Sequence, residues 1–159
     1  RTSHFKNWYG LSVSRRARLE QKMIGYRGYV SSRMFHGERV PQHVQNIVIR
    51  DYCNRKGLIY LLSATEYAMP DCYMMLEQVL NDIRQLKGIV LYSLLQLPSL
   101  RGYRKTIFER VLEHGQELHS SVESLSICEM GEIKRIEDIL NVRTILPDTL
   151  FANSLAENL

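Results

Sequence analysis

Short apolar runs of strand length alternate with longer segments whose apolar residues recur at helical spacing. This order constrains the fold more than any other feature of the chain. MIGYRGYVS (Met23–Ser31) is rich in aromatic and β-branched residues and reads as a first strand. Pro41 suits a first helical turn, and Val44, Ile47, Val48 and Tyr52 then recur at helical spacing until Gly57 stops the helix. LIYLLSA (Leu58–Ala64) is a continuous apolar run, the pattern of a strand buried on both faces. After the loop TEYAMP, Asp71 can cap a helix carrying Tyr73, Leu76, Leu80 and Ile83. GIVLYSLL (Gly88–Leu95) reads as another buried strand, broken by LPS. Arg101 to His114 reads as a helix with Tyr103, Ile107, Val111 and Leu112 inward, and Gly115 closes it. ELHSSVE (Glu117–Glu123) is a shorter strand, and GEIKRIEDIL (Gly131–Leu140) is a final amphipathic helix.

Strands alternating with helices at this spacing imply an α/β fold. The expectation is three layers: a mostly parallel sheet of about four to five strands with helices on both faces. The chain divides into a basic N-terminal extension (1–22), an α/β domain (23–140) and a C-terminal tail (141–159). Ligands on such sheets gather at the carboxyl ends of the strands. Three loops fall there: Ser31–Val40, Ser63–Pro70 and Leu95–Leu100.

Charge narrows the partners. The whole chain carries +4, but residues 1–22 hold six Lys/Arg against the single acid Glu20, a local charge of +5. The remainder is at −1, so the core shows no basic working face and DNA is not its expected partner. The arm itself could bind nucleic acid or acidic lipid, but reads more simply as a solvated leader or a partner-binding segment, with Trp8 and Tyr9 as a thin aromatic anchor. No apolar run is long enough to span a membrane, and the first residues carry no signal-peptide h-region. Cys53, Cys72 and Cys128 are scattered and odd in number, as expected for buried thiols in a reducing cytoplasm. Neither they nor His36, His43 and His119 make a metal spacing, and Met69, Met74 and Met75 read as core filler. Nothing in the sequence calls for a cofactor; the glycines match neither a P-loop nor GxGxxG.

The first loop offers Ser31, Ser32, Arg33, His36, Arg39 and His43 beside a helix start. Hydroxyls next to two guanidiniums can hold a phosphate or carboxylate, helped by backbone N–H groups and the helix dipole. The alternative is a solvated loop in which a serine caps a turn. In the second loop Glu66 could serve as a base if burial raised its pKa, or simply pair with an arginine. His43 could orient a group or move a proton, or be a surface residue near a helix start. Asp71 is most simply a helix cap.

The order of these pieces resembles the catalytic domain of the serine recombinases, the resolvases and invertases. Val30-Ser31 falls where that family's Val-Ser ends its first strand, Gln45 falls at its helix glutamine, KGIVLYSLLQLPS (Lys87–Ser99) falls at its third strand with the arginine motif, and EHGQELHSSVE (Glu113–Glu123) at the Ser-x-x-Glu strand. The resemblance covers residues 23–125 and implies a resolvase-like fold in which Ser31 occupies the nucleophile's place. The departures exclude strand exchange. Tyr29 stands where an arginine should precede Val-Ser, and Leu95, Gln96 and Ser99 stand where Asp, Arg and Arg should be. A serine attacking a phosphodiester develops charge on the phosphoryl oxygens. Each lost donor of that type costs ~10²–10³ in rate.

Longer phrases, GYRGYVSSR, RVPQHVQNIVIRDYC, LLSATEYAMPDCYMMLEQVL and GIVLYSLLQLP, resemble the small sporadic carbohydrate cluster proteins of bacterial surface-sugar genes. That resemblance covers about residues 23–140. It implies a cytoplasmic role in lipopolysaccharide or O-antigen biosynthesis, on a sugar phosphate or nucleotide sugar. In that reading Ser31, Ser32, Arg33 and Arg39 bind the anion. His43, Gln45 and Glu66 orient the sugar or transfer a proton, and Tyr67 and Tyr73 stack on a ring. The rival readings are a non-catalytic DNA-binding or regulatory protein of the resolvase fold and a small subunit of a glycan-enzyme complex. Resolvase-like domains often pair through helices, and Gly131–Leu140 could extend such an interface in a homodimer.

Overall fold

The computed structural model describes residues 25–35 and 39–143. The basic arm, His36 and the end of the tail lie outside these residues. The elements in order are β1 (Tyr26–Ser31), α1 (Gln42–Lys56), β2 (Ala64–Glu66), α2 (Met74–Asn81), β3 (Gly88–Leu91), α3 (Arg101–Leu112), β4 (Glu117–Ser120), β5 (Leu125–Ile127) and α4 (133–143). Single 3₁₀ turns at Ile83–Gln85, Leu94–Gln96 and Met130–Glu132 join them.

The five strands form one sheet in the order β2-β1-β3-β4-β5. Every pairing is parallel except the β4–β5 hairpin. The period of two along β1 divides the core. Tyr26 and Val30 face α1 and pack with Ile49, Tyr52 and Cys53. Tyr29 faces the opposite layer with Ile89, Leu91 and Leu118, where α2, α3 and α4 contribute Leu76, Leu80, Ile107, Phe108, Val111 and Ile136. Helices therefore cover both faces, as the alternating pattern implies. Each aliphatic side chain fully buried in these layers contributes roughly 1.5–3 kcal/mol. Strand spacing is tight at Gly88, where a Cβ would overlap the Glu117 carbonyl of β4. Arg104 of α3 holds α4 through a buried bidentate pair, Nε and Nη2 lying 2.9 and 2.7 Å from the two Glu137 carboxylate oxygens.

Several local expectations change. The run Leu58–Ala64 is not a buried strand. Only its last residue belongs to β2, Tyr60 makes a single bridge to Tyr26, and Ile59 and Leu62 are exposed. The reason is topological: β2 lies at the sheet edge, so the segment feeding it needs no second apolar face. In α1 the inward residues are Gln45, Ile49, Tyr52 and Cys53, and Ile47 points to solvent. The polar Gln45 belongs to the inner face, which rotates the apparent apolar stripe. Pro41 stands one residue before this helix. Gly88–Leu95 and Glu117–Glu123 each shorten to a four-residue strand, and β5 is an element the apolar pattern did not mark. The last helix begins after a 3₁₀ turn and runs past Leu140. Met69, in the loop before α2, and Met74 are exposed, since α2 turns Leu76, Val79 and Leu80 inward, whereas Met75 packs partly buried against the core. Cys128 is exposed just beyond β5, while Cys53 is buried and its thiol is pushed up to about 11, which makes it inert. No described helix is long and apolar enough to cross a membrane.

Candidate functional site

The carboxyl ends of β1, β2 and β3 bring Ser31, Glu66 and the turn after Leu91 side by side, since Ser31 is in register with Glu66 and Tyr29 with Leu91. Ser31 is wholly buried. Its backbone is clamped by the Gln45 side chain: the Ser31 N–H donates to Gln45 Oε1 at 3.0 Å, and Gln45 Nε2 donates to the Ser31 carbonyl at 2.7 Å. Gln45 Nε2 also reaches the Val40 carbonyl at 2.7 Å. Gln96 completes the clamp, donating from Nε2 to Gln45 Oε1 at 2.8 Å while its own Oε1 accepts the Tyr92 N–H at 3.0 Å. The Ser31 hydroxyl accepts the Arg33 N–H at 3.2 Å, and no carboxylate or imidazole hydrogen-bonds to it among the described residues.

Arg33 ties the three loops together. Its Nη1 donates to the Cys72 carbonyl, its Nη2 to the Gln96 carbonyl at 2.9 Å, and its guanidinium carbon lies 4.1 Å from the centre of the Tyr73 ring. Tyr103 meets the same ring edge-on. Burial raises the Tyr73 phenol above its ordinary value; Arg33 opposes that and Asp71 adds to it.

Glu66 is 1% exposed yet fully engaged. Its carboxylate accepts the Tyr29 hydroxyl at 3.1 Å, the Tyr67 N–H at 3.1 Å, the Met75 N–H at 3.1 Å and the Leu76 N–H at 3.2 Å. The last two are free donors at the start of α2, so Glu66 caps that helix across the loop. Asp71 does not; the helix begins after Tyr73, which makes no side-chain cap bond. Burial, opposed by Arg33 and reinforced by Glu66, holds the Tyr29 phenol well above its ordinary value.

Beside this cluster a cavity of about 530 Å³ opens between the three loops. Arg33, Phe35, Asp71, Tyr73, Leu97 and Ser99 line it with their neighbours. The structure thus gathers Ser31, Arg33, Gln45, Glu66 and Tyr73. Arg39 and His43 are exposed and hydrogen-bond to none of these groups among the described residues. Ser32 is taken up by a hydrogen bond from Gln42 Nε2, and Tyr67 is 53% exposed and does not line the cavity. Sequence reasoning missed Gln96 as a structural amide and Asp71 as a cavity residue. It also missed a second carboxylate cradle, in which Glu123 accepts hydroxyls from Ser93 at 2.7 Å and from Ser120. Among the described residues no group of three or more His, Cys, Asp or Glu could hold a metal ion.

Two solved structures share this architecture. A resolvase family site-specific recombinase from Streptococcus pneumoniae superposes with a TM-score of 0.56 at 7% identity, over 84% of this chain and 97% of that one. The N-terminal catalytic domain of TP901-1 integrase gives a TM-score of 0.51 at 13% identity, over 77% and 98%. At such identities the likeness is one of fold. No family model and no curated protein matches the chain, so the resemblance to carbohydrate-cluster proteins gains no support from either comparison.

Proposed function

We propose that this chain is a non-catalytic binding protein built on the resolvase fold. The observation that carries the reading is the state of Ser31: wholly buried, clamped by Gln45 and without a base on its hydroxyl among the described residues. Where the recombinase resemblance asks for guanidiniums, Tyr29 and Gln96 spend their polar atoms on Glu66 and Gln45. A phosphodiester transition state there would find amides and a phenol already engaged, and a single guanidinium, Arg33, with two of its donors on backbone carbonyls. Binding needs none of that chemistry. The cavity beside Arg33 and Tyr73 supplies a cation, a ring face and apolar walls, which suit a ligand carrying an anion and a ring. In this reading the ligand is a phosphorylated or nucleotide-activated sugar, with Arg33 on its phosphate and Tyr73 beside its ring.

A second reading, a DNA-binding regulator, is favoured by one observation, the six basic residues within 1–22. The two separate in a melting-temperature screen of sugar phosphates, nucleotide sugars and short duplex DNA at low and moderate salt. A salt-tolerant rise with a sugar ligand, lost in Arg33→Ala, is the expected result. A rise with DNA alone, vanishing with salt and with removal of residues 1–22, would replace the first reading by the second.

A further inference from the structure

The cavity between the three loops holds opposite charges that do not neutralise each other. Arg33 and Asp71 both line it. Arg33 spends two of its N–H donors on backbone carbonyls rather than on a carboxylate. Asp71 is exposed, and among the described residues it has neither an ion-pair partner nor a hydrogen bond. The cavity wall therefore carries one guanidinium and one carboxylate, and Met34, Phe35, Leu95 and Leu97 add no charge. Asp71 also holds a left-handed backbone, φ 52°, which a non-glycine residue adopts at some cost and which recurs at ligand sites. A field of this kind repels a polyanion and welcomes a positive group beside an anionic one.

We infer that the cavity takes a small zwitterion of the amino-sugar monophosphate class, its phosphate on Arg33 and its ammonium on Asp71. The inference rests on the cavity being the ligand site and narrows it. A nucleotide diphosphate sugar brings too much negative charge for a single guanidinium already engaged on one edge.

Titration calorimetry of the full chain with glucosamine phosphate, glucose phosphate and uridine diphosphate glucose tests it. Glucosamine phosphate should bind about five-fold more tightly than glucose phosphate, the scale of one partly exposed ion pair. Uridine diphosphate glucose should bind most weakly. Asp71→Asn keeps the side-chain shape and tolerates the left-handed backbone. It should erase the preference by weakening glucosamine phosphate while glucose phosphate binds no more weakly than before, and Arg33→Ala should abolish binding of both sugar phosphates. Equal affinity for the two sugar phosphates in the unaltered chain, a preference that survives Asp71→Asn, or tighter binding of the diphosphate, overturns the zwitterion and leaves the ligand site standing. Binding of none of the three overturns both.

Discussion

Gln96 donates from Nε2 to Oε1 of Gln45 across 2.8 Å, so two uncharged amides join the turn after β3 to the first helix and to the end of β1. Both side chains are buried, and every polar atom of the pair has a partner within this small network. Replacing Gln45 by Leu fills the volume but strands the Ser31 N–H, the Ser31 and Val40 carbonyls and the Gln96 amide. A buried unsatisfied group costs ~1–3 kcal/mol, and partial relaxation limits the sum. Gln45→Leu should lose about 2–4 kcal/mol in urea unfolding.

Glu66 does for α2 what a local cap would ordinarily do, from a residue several positions upstream. Glu66→Gln keeps one acceptor oxygen but turns an NH₂ toward the helix's free N–H groups. Stability should fall by about 1–2 kcal/mol. Hydrogen exchange should speed up first at the Met75 and Leu76 amides.

The order of strands and helices was legible because it depends on short-range apolar spacing. The loops at the strand ends point to Ser31 and Glu66, and the recombinase resemblance points to Gln45; the structure sets the three side by side. The rest was not legible, for physical reasons. Leu58–Ser63 looks like a strand because apolar content does not tell a sheet edge from a sheet centre. Gln45 faces inward as a polar residue, and its reward is a contact with Gln96 that lies far along the chain. Asp71 looks like a cap because its spacing fits; the cap comes instead from Glu66, whose approach requires the β1–β2 register. Arg39 and His43 stand near the site in sequence, and the structure leaves both exposed, with His43 on the outer side of α1.

A pH dependence follows from the other end of the sheet. Tyr26 donates its hydroxyl to Glu117 at 2.6 Å, and His119 Nε2 lies 2.9 Å from the same oxygen. The Tyr26 bond, foremost, holds the Glu117 carboxyl below its ordinary value of 4.5 despite partial burial. A depressed carboxylate stabilises the fold above the unfolded value and loses that contribution as pH falls through the folded one. Tyr26→Phe should therefore cost about 1 kcal/mol at neutral pH, discounted for the exposure of Glu117. The gap to the unaltered protein should narrow in acid. Unfolding curves across that range check the sign.

Gly88 is required by close approach rather than by backbone freedom. A methyl group there meets the Glu117 carbonyl, which belongs to the adjacent strand and cannot move without breaking the β3–β4 pairing. Gly88→Ala should destabilise by about 3 kcal/mol, at the upper end of overpacking costs. By contrast, Gly102→Ala, on an exposed helix turn with open space around it, should stabilise by about 0.5–1 kcal/mol. Paired melting curves of the two variants test whether strand spacing or helix propensity governs each site.

In the proposed reading Ser31 does not attack a phosphodiester. Incubation of the purified chain with supercoiled plasmid, followed by denaturation, protease digestion and electrophoresis, tests it most directly. A serine that cleaves a phosphodiester relaxes or breaks the plasmid. The account predicts unchanged supercoiling with both the unaltered chain and Ser31→Ala. Relaxed or broken plasmid with the unaltered chain, absent with Ser31→Ala, would contradict it and return Ser31 to catalysis.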